Sequence, residues 1–294
     1  MRNLAWHLLA IATVAVWGTS FVSTKVLLGH GFTAVQVFAL RFAATWLLLL
    51  ALDRRRPLFR GAKDELVLAL CGLCGCTLYY WAENTALGLS PSGEVSLVVC
   101  GNPLLIMLFA GLLWREERLR PRQVLGCLAA FAGMALVVLD GTFVLGLSPL
   151  GGLLAFAAAA VWAVYSLAVR PLNARLPALF VTRKMFFYGT LSSLPILLAE
   201  GLGGGAPVPW GSFAEPVVAF NFLALTLLSS LFGYLVWNKV LRRLGTVLAS
   251  NYIYAIPLVT VATAAVALGE KVTPGTVAGG AMIALGMLLA ESRK

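Results

Sequence analysis

The sequence predicts an all-α membrane protein, ten transmembrane helices arranged as two inverted five-helix repeats, and three observations predict it. The first is composition: of 294 residues, 60% are hydrophobic and only 12% charged, with a mean hydropathy of +0.91, where soluble domains carry about 25% charged residues. The second is that the apolar residues fall in ten runs. The third is an ordered set of residues in the first half that recurs in the second.

A membrane-spanning helix takes about 20 mostly apolar residues, so ten spans fit this length only with short loops and leave no room for a separate soluble domain. The runs lie at 4–27, 33–52, 65–87, 92–114, 122–140, 149–169, 178–199, 216–238, 246–268 and 274–291, each bounded by Gly, Pro or charge. The first starts at Leu4 and passes Trp17 to reach Val26. That exceeds the roughly 7 to 15 residues of a signal-peptide core and has no convincing small-residue cleavage site, so it reads as a retained helix. The second run holds Arg41, and the third holds Cys71, Cys74, Cys76 and Glu83. The fourth and ninth each contain a proline, Pro103 and Pro257, roughly 16 Å into the helix at about 1.5 Å per residue. The fifth and tenth are glycine-rich, the sixth holds Trp162 and Tyr165, and the eighth holds Tyr234.

Ten spans put both termini on one side. With that side taken as the reference, its loops and helix ends collect Arg2; Arg54, Arg55, Arg56, Arg60 and Lys63; Arg115, Arg118, Arg120 and Arg122; Arg170, Arg175, Arg183 and Lys184; Lys239, Arg242 and Arg243; and Arg293 and Lys294. That is 19 of the 22 Lys and Arg. The opposite side keeps Lys271, with Lys25 near a helix end and Arg41 inside the second helix. The positive-inside rule therefore places both termini in the cytoplasm. The net charge of +10 is a topology signal rather than a nucleic-acid footprint.

Glu117, Pro121, Gly126 and Gly133 recur 153 residues later as Glu270, Pro274, Gly279 and Gly286, and Pro103 matches Pro257 with one extra residue. Ala15-Val16-Trp17 reappears as Ala160-Val161-Trp162. This implies a first repeat over 1–140, a short connection over 141–148 and a second repeat over 149–294. With five helices per repeat, the second copy enters the membrane from the opposite face. That is the plan of secondary transporters, which rock around a site near the bilayer midplane.

The Trp17-Gly18-Thr19-Ser20-Phe21 segment, Leu40-Arg41-Phe42, the Asn84 to Ala86 region and the twice-used Glu-x-x-x-Pro before a glycine-rich helix resemble the EamA-type branch of the drug/metabolite transporter superfamily. The resemblance covers nearly the whole chain. It implies a ten-helix carrier of a bacterial inner membrane that exports small metabolites, often amino acids, aromatic ones included. It also implies that Arg41 is a scaffold position.

Paired breaks at Pro103 and Pro257 free backbone carbonyls near mid-membrane, and such breaks survive where protein or a polar cavity satisfies the backbone. Asn102, Asn251 and Tyr254 are the candidate polar lining. Trp17 and Trp162, in matching mid-depth positions, are candidates for an aromatic wall that Tyr80, Tyr165 and Tyr234 extend; ordinary core packing is the alternative. Glu83 and Glu94 fall within about a turn of the outer surface. There each is either an interfacial, wet carboxylate or a charge partner, Glu83 for Lys25 or for a cationic group. Arg41 reads first as a structural hydrogen-bonding group and second as a contact for a substrate carboxylate. The C-x-x-C-x-C run, flanked by Gly72 and Gly75, fits close helix packing better than a metal site. Glu117 and Glu270 read as turn anchors.

No G-x-x-x-x-G-K-[ST] phosphate loop is present, so an ATP-driven pump is not expected. No nucleophile with a base and no metal-ligand set lies at depth, so neither an enzyme nor a cofactor is implied. The expected partners are a small-molecule substrate and the lipid bilayer, without nucleic acid, and a monomer is compatible with the pattern. The expected function is export of amino acids by alternating access around a midplane cavity. The alternative is a multidrug or organic-cation exporter.

Overall fold

The computed structural model describes residues 4–52, 61–90, 92–113, 120–139, 148–268 and 274–291, and every regular element among them is helical. The basic clusters from Arg54 to Arg60 and at Arg115 and Arg118, together with Glu117, Glu270 and Lys271, lie outside the described residues. So does the side chain of Glu94, which belongs to the helix Ser92–Val99.

The helices follow the apolar runs. They are α1 (Leu4–Gly29), α2 (Ala34–Leu52), α3 (Ala62–Leu89), α4 in two pieces (Ser92–Val99 and Asn102–Leu113) and α5 (Pro121–Leu139). The second half has α6 (Pro149–Ala168), α7 (Ala178–Leu202) and α8 (Pro216–Leu244). It closes with α9 (Thr246–Ser250, a 3₁₀ turn Asn251–Ala255, then Ile256–Leu268) and α10 (Pro274–Glu291). Two helices run six residues past their apolar runs: α6, whose span reaches Arg175 through a second helical piece Arg170–Arg175, and α8, which continues to Leu244 rather than 238. The last turns of α8 are amphipathic: Val240, Leu241 and Leu244 are buried while Lys239, Arg242 and Arg243 are exposed, so charge there does not end the helix.

The inversion is visible where α5 meets α10. A Cβ on Gly133 would stand 2.7 Å from the Gly279 carbonyl oxygen, and one on Gly286 would stand 2.6 Å from the Gly126 carbonyl oxygen. Moving up α5 from 126 to 133 therefore moves down α10 from 286 to 279, so equivalent helices of the two halves run antiparallel. The four glycines that recur in sequence are the ones that let these backbones touch, the usual means of helix association where lipid removes the hydrophobic drive. The Cys-rich part of α3 packs the same way: a Cβ at Gly72 would lie 2.9 Å from the Gly189 backbone nitrogen of α7. Cys71, Cys74 and Cys76 are buried free thiols.

The third helix of each half is wound more loosely over one stretch, as a π-helix at Leu73–Leu78 in α3 and Ala224–Phe232 in α8. Such segments displace carbonyls from the regular ladder. Each of these segments takes a bond from an aromatic side chain of the other half. Trp17 Nε1 donates to the Ser229 carbonyl at 3.1 Å, and the Tyr234 hydroxyl donates to the Gly75 carbonyl at 2.5 Å. The two halves are thus tied at their centre by a reciprocal pair of bonds.

Candidate functional site

Both α4 and α9 are interrupted beside their prolines, and the two halves solve the resulting backbone problem differently. In α4 the helix stops at Val99, turns through Cys100 and Gly101, and restarts at Asn102, so Pro103 stands in the first turn of the new segment. Proline is tolerated there because first-turn amides have no helical acceptor. The carbonyl that a residue at 103 would normally satisfy is that of Val99, and Asn102 Nδ2 donates to it at 2.9 Å. In α9 the corresponding carbonyl is that of Ile253, which accepts from the Ile256 amide in a tightened 3₁₀ turn. Asn251 is then free for another partner, and its Oδ1 accepts from Cys127 Sγ of α5 at 3.0 Å.

A central void lies against the α4 break. Its wall comprises Trp17, Ser20 and Phe21 from α1; Tyr79, Tyr80 and Glu83 from α3; Val99, Cys100 and Asn102 from α4; Trp162 from α6; and Ile253 and Ile256 from α9. The rings form one cluster. Trp17 and Trp162 meet edge to face with centroids 5.5 Å apart, Tyr79 lies 4.8 Å from Trp162, and Tyr79 and Tyr80 are perpendicular at 4.7 Å. The void has room for about one water. The conformation is closed on this site.

Of the residues expected to line a site, Trp17, Tyr80, Asn102 and Trp162 are brought together here. Tyr165 and Tyr234 stand one layer behind, with ring centroids 5.0 and 6.0 Å from Trp162, and both hydroxyls are engaged elsewhere, Tyr165 with Asn238 Oδ1 at 3.3 Å. Asn251 and Tyr254 are buried but do not line the void; the 3₁₀ turn presents Ile253 to it instead. Tyr79 was not foreseen, although it precedes Glu83 by four residues and so shares its helix face.

The expectation of an interfacial, wet Glu83 is corrected: the residue is 4% exposed and belongs to the wall of the void. Nor does it pair with Lys25, an exposed residue whose Nζ donates to the Ser90 carbonyl at 3.3 Å. Glu83 Oε2 is buried without a hydrogen-bond partner, as are Asn102 Oδ1 and Trp162 Nε1. Arg41, 1% exposed, does not line the void. Its guanidinium carbon sits 4.0 Å from the Tyr80 ring centroid, a cation–π contact on a ring that lines the void. Its Nε and Nη2 also lack partners.

A roomier groove on the flank of the bundle is lined by Leu40, Ala44, Trp210, Phe213, Phe222 and Leu223. It is open and carries no charge, so it offers nothing to a polar solute.

Two inverted five-helix halves around a void at broken helices is the arrangement of a carrier, and the family model described as the EamA-like transporter family matches residues 4–139 and 149–291. The chain belongs to that family. A protein from Streptantibioticus cattleyicolor, described as a probable terminal-alkyne amino-acid exporter, is 30% identical over 100% of this chain and 95% of its own length. The aromatic amino acid exporter YddG of Ancylobacter novellus is 32% identical over 64% of this chain and 63% of its own. A solved crystal structure superposes with a TM-score of 0.75 at 26% identity, covering 98% of this chain and 96% of that one. This EamA-type chain is a multi-pass membrane transporter for a small molecule, with the bilayer as its second partner.

Proposed function

We propose that the protein exports amino acids, aromatic ones included, from the cytoplasm by alternating access, its two repeats, 1–140 and 149–294, moving about the central void. The observation that carries this reading is the void itself: aromatic walls for an apolar side chain, unpartnered donor and acceptor atoms for a charged backbone, and no volume for a solute until the halves part. Broken helices at a repeat interface are where such carriers bind their cargo. The printed descriptions of the relatives, two of them amino-acid exporters, support the same substrate class. The concentration of 19 of 22 basic residues on one side supports cytoplasmic termini in an inner membrane.

Export of organic cations is the second reading, and one observation favours it: a carboxylate, Glu83, stands among the rings, where an aromatic cage also suits a quaternary amine. Purified protein in liposomes separates the two. Labelled amino acids, sugars, phosphates and quaternary amines are offered in a counterflow assay. Saturable amino-acid exchange is expected. Exchange of quaternary amines with no amino acid moved would replace the first reading by the second, and non-saturating flux would indicate a channel.

A further inference from the structure

We propose that Glu83 Oε2 and Asn102 Oδ1 form a subsite for a protonated primary amine, which on the amino-acid reading, on which this assignment rests, is the substrate's α-ammonium group. Both atoms belong to residues of the same small void, both are buried, and neither has a partner. Both only accept hydrogen bonds, the first as a carboxylate oxygen and the second as an amide oxygen whose own NH₂ is committed to the Val99 carbonyl. That commitment fixes the Asn102 side chain, so its oxygen cannot be exchanged for a donor. A ligand that satisfies two acceptors must bring at least two N–H or O–H donors.

A single water in the void meets that count but brings no charge to a carboxylate that, beyond the Tyr79 hydroxyl and the more distant Arg41 guanidinium, keeps one oxygen unsatisfied in a buried setting, and such a group is costly. An ammonium group brings three donors and the opposite charge. The basic groups nearby do not bond to the open oxygen. Lys25 is exposed and bonded to Ser90. The guanidinium of Arg41 is stacked against the Tyr80 ring and acts on Glu83 from a distance, without a hydrogen bond to its Oε2. The rings of Trp17, Trp162, Tyr79 and Tyr80 complete a setting in which a cation is favoured by the π faces as well.

Purified wild-type protein, Glu83→Gln and Glu83→Asp are titrated by intrinsic tryptophan fluorescence with phenylalanine, phenethylamine (ammonium without carboxylate) and 3-phenylpropionate (carboxylate without ammonium). Wild type is expected to bind phenethylamine at least about tenfold more tightly than 3-phenylpropionate, the scale of a hydrogen bond to a charged group. Glu83→Gln should lose that preference and Glu83→Asp should keep part of it. Equal binding of the two probes by wild type, no binding of phenethylamine, or a folded Glu83→Gln that keeps its amine affinity within about twofold would each overturn the assignment. Should Glu83→Gln fail to fold, the wild-type preference and a Glu83→Asp loss confined to the amine decide the matter. Glu83-dependent amine binding in a protein that moves no amino acid in liposomes would sink the export reading and leave this subsite standing. Amino-acid exchange indifferent to the Glu83 variants would do the reverse.

Discussion

Two buried carboxylates in α3 make opposite use of the same chemistry. Glu65, one turn into the helix, is 6% exposed, and its Oε2 accepts from Lys184 Nζ at 2.8 Å and from the Tyr188 hydroxyl at 2.5 Å, both on α7. Glu83, near the other end, is 4% exposed, and its Oε2 accepts from nothing. A buried charge with a complete set of partners is part of the scaffold, since its interactions are made whether or not a solute is present. A buried charge left open costs the resting protein stability and is tolerated where a ligand, or another stage of the working cycle, supplies what is missing. On the proposed reading the contrast separates stability from transport, the first carboxylate serving one and the second the other.

The largest effect is expected at the partnered site. Glu65→Ala strands the Lys184 ammonium among buried side chains and should cost about 3–5 kcal/mol, whereas Glu65→Leu combined with Lys184→Met should recover most of it, because replacing both members of a buried pair is close to neutral. Unfolding in detergent, followed by circular dichroism, measures both. A single variant as stable as wild type would mean that the pair is not what fastens α3 to α7, and the comparison would break.

At the open site the sign reverses. Glu83→Leu removes a carboxylate that has the Tyr79 hydroxyl as a partner but one oxygen without any, so the protein should be no less stable and should gain up to about 1–3 kcal/mol, the cost of leaving such an oxygen unsatisfied, while amine binding is lost. The same unfolding assay reads the gain. A Glu83→Leu variant that unfolds as readily as Glu65→Ala would show that Glu83 is scaffold after all.

The positions of the helices were legible because each apolar run is about one bilayer long and its ends are marked by charge, Gly or Pro. The recurring Gly126, Gly133, Gly279 and Gly286 were legible as a repeat, although only the antiparallel packing shows why they recur: they face one another. Trp17, Tyr80, Asn102 and Trp162, singled out from mid-depth position, from neighbourhood to a proline and as an extension of the aromatic wall, line one void.

Glu83 is buried rather than wet, and its burial was hidden in the sequence for a geometric reason. Depth was counted from the helix end, but α3 has 28 residues, about 42 Å at 1.5 Å per residue, against a hydrocarbon core of about 30 Å. A helix longer than the core does not report depth by residue count. The π segment at Leu73–Leu78 also breaks the 3.6-residue period that would otherwise carry the buried face of the first half of α3 through to Tyr79 and Glu83. Asn251 and Tyr254 do not line the void, because a 3₁₀ turn has three residues per turn, which rotates the faces of Asn251–Ala255 away from those an α-helix would show.

The smallest effect, and the finest test of the contrast, is at Lys25. The sequence offers it as a partner for Glu83, whereas the structure leaves it exposed with a single 3.3 Å bond to the Ser90 carbonyl. Lys25→Met should therefore change stability by less than about 0.5 kcal/mol, as exposed substitutions usually do, and leave phenethylamine affinity within about twofold. The sign of any larger change is informative. A lysine that reached the Glu83 carboxylate in another stage of the cycle would compete there with an amine, so removing it would tighten amine binding. A lysine that only raised the local positive potential would also tighten it, but by an amount that fades as salt screens the exposed charge. Tightening well beyond twofold that survives high salt would thus show that the open oxygen of Glu83 does have a protein partner, and the division between a partnered and an open carboxylate would hold for only one conformation.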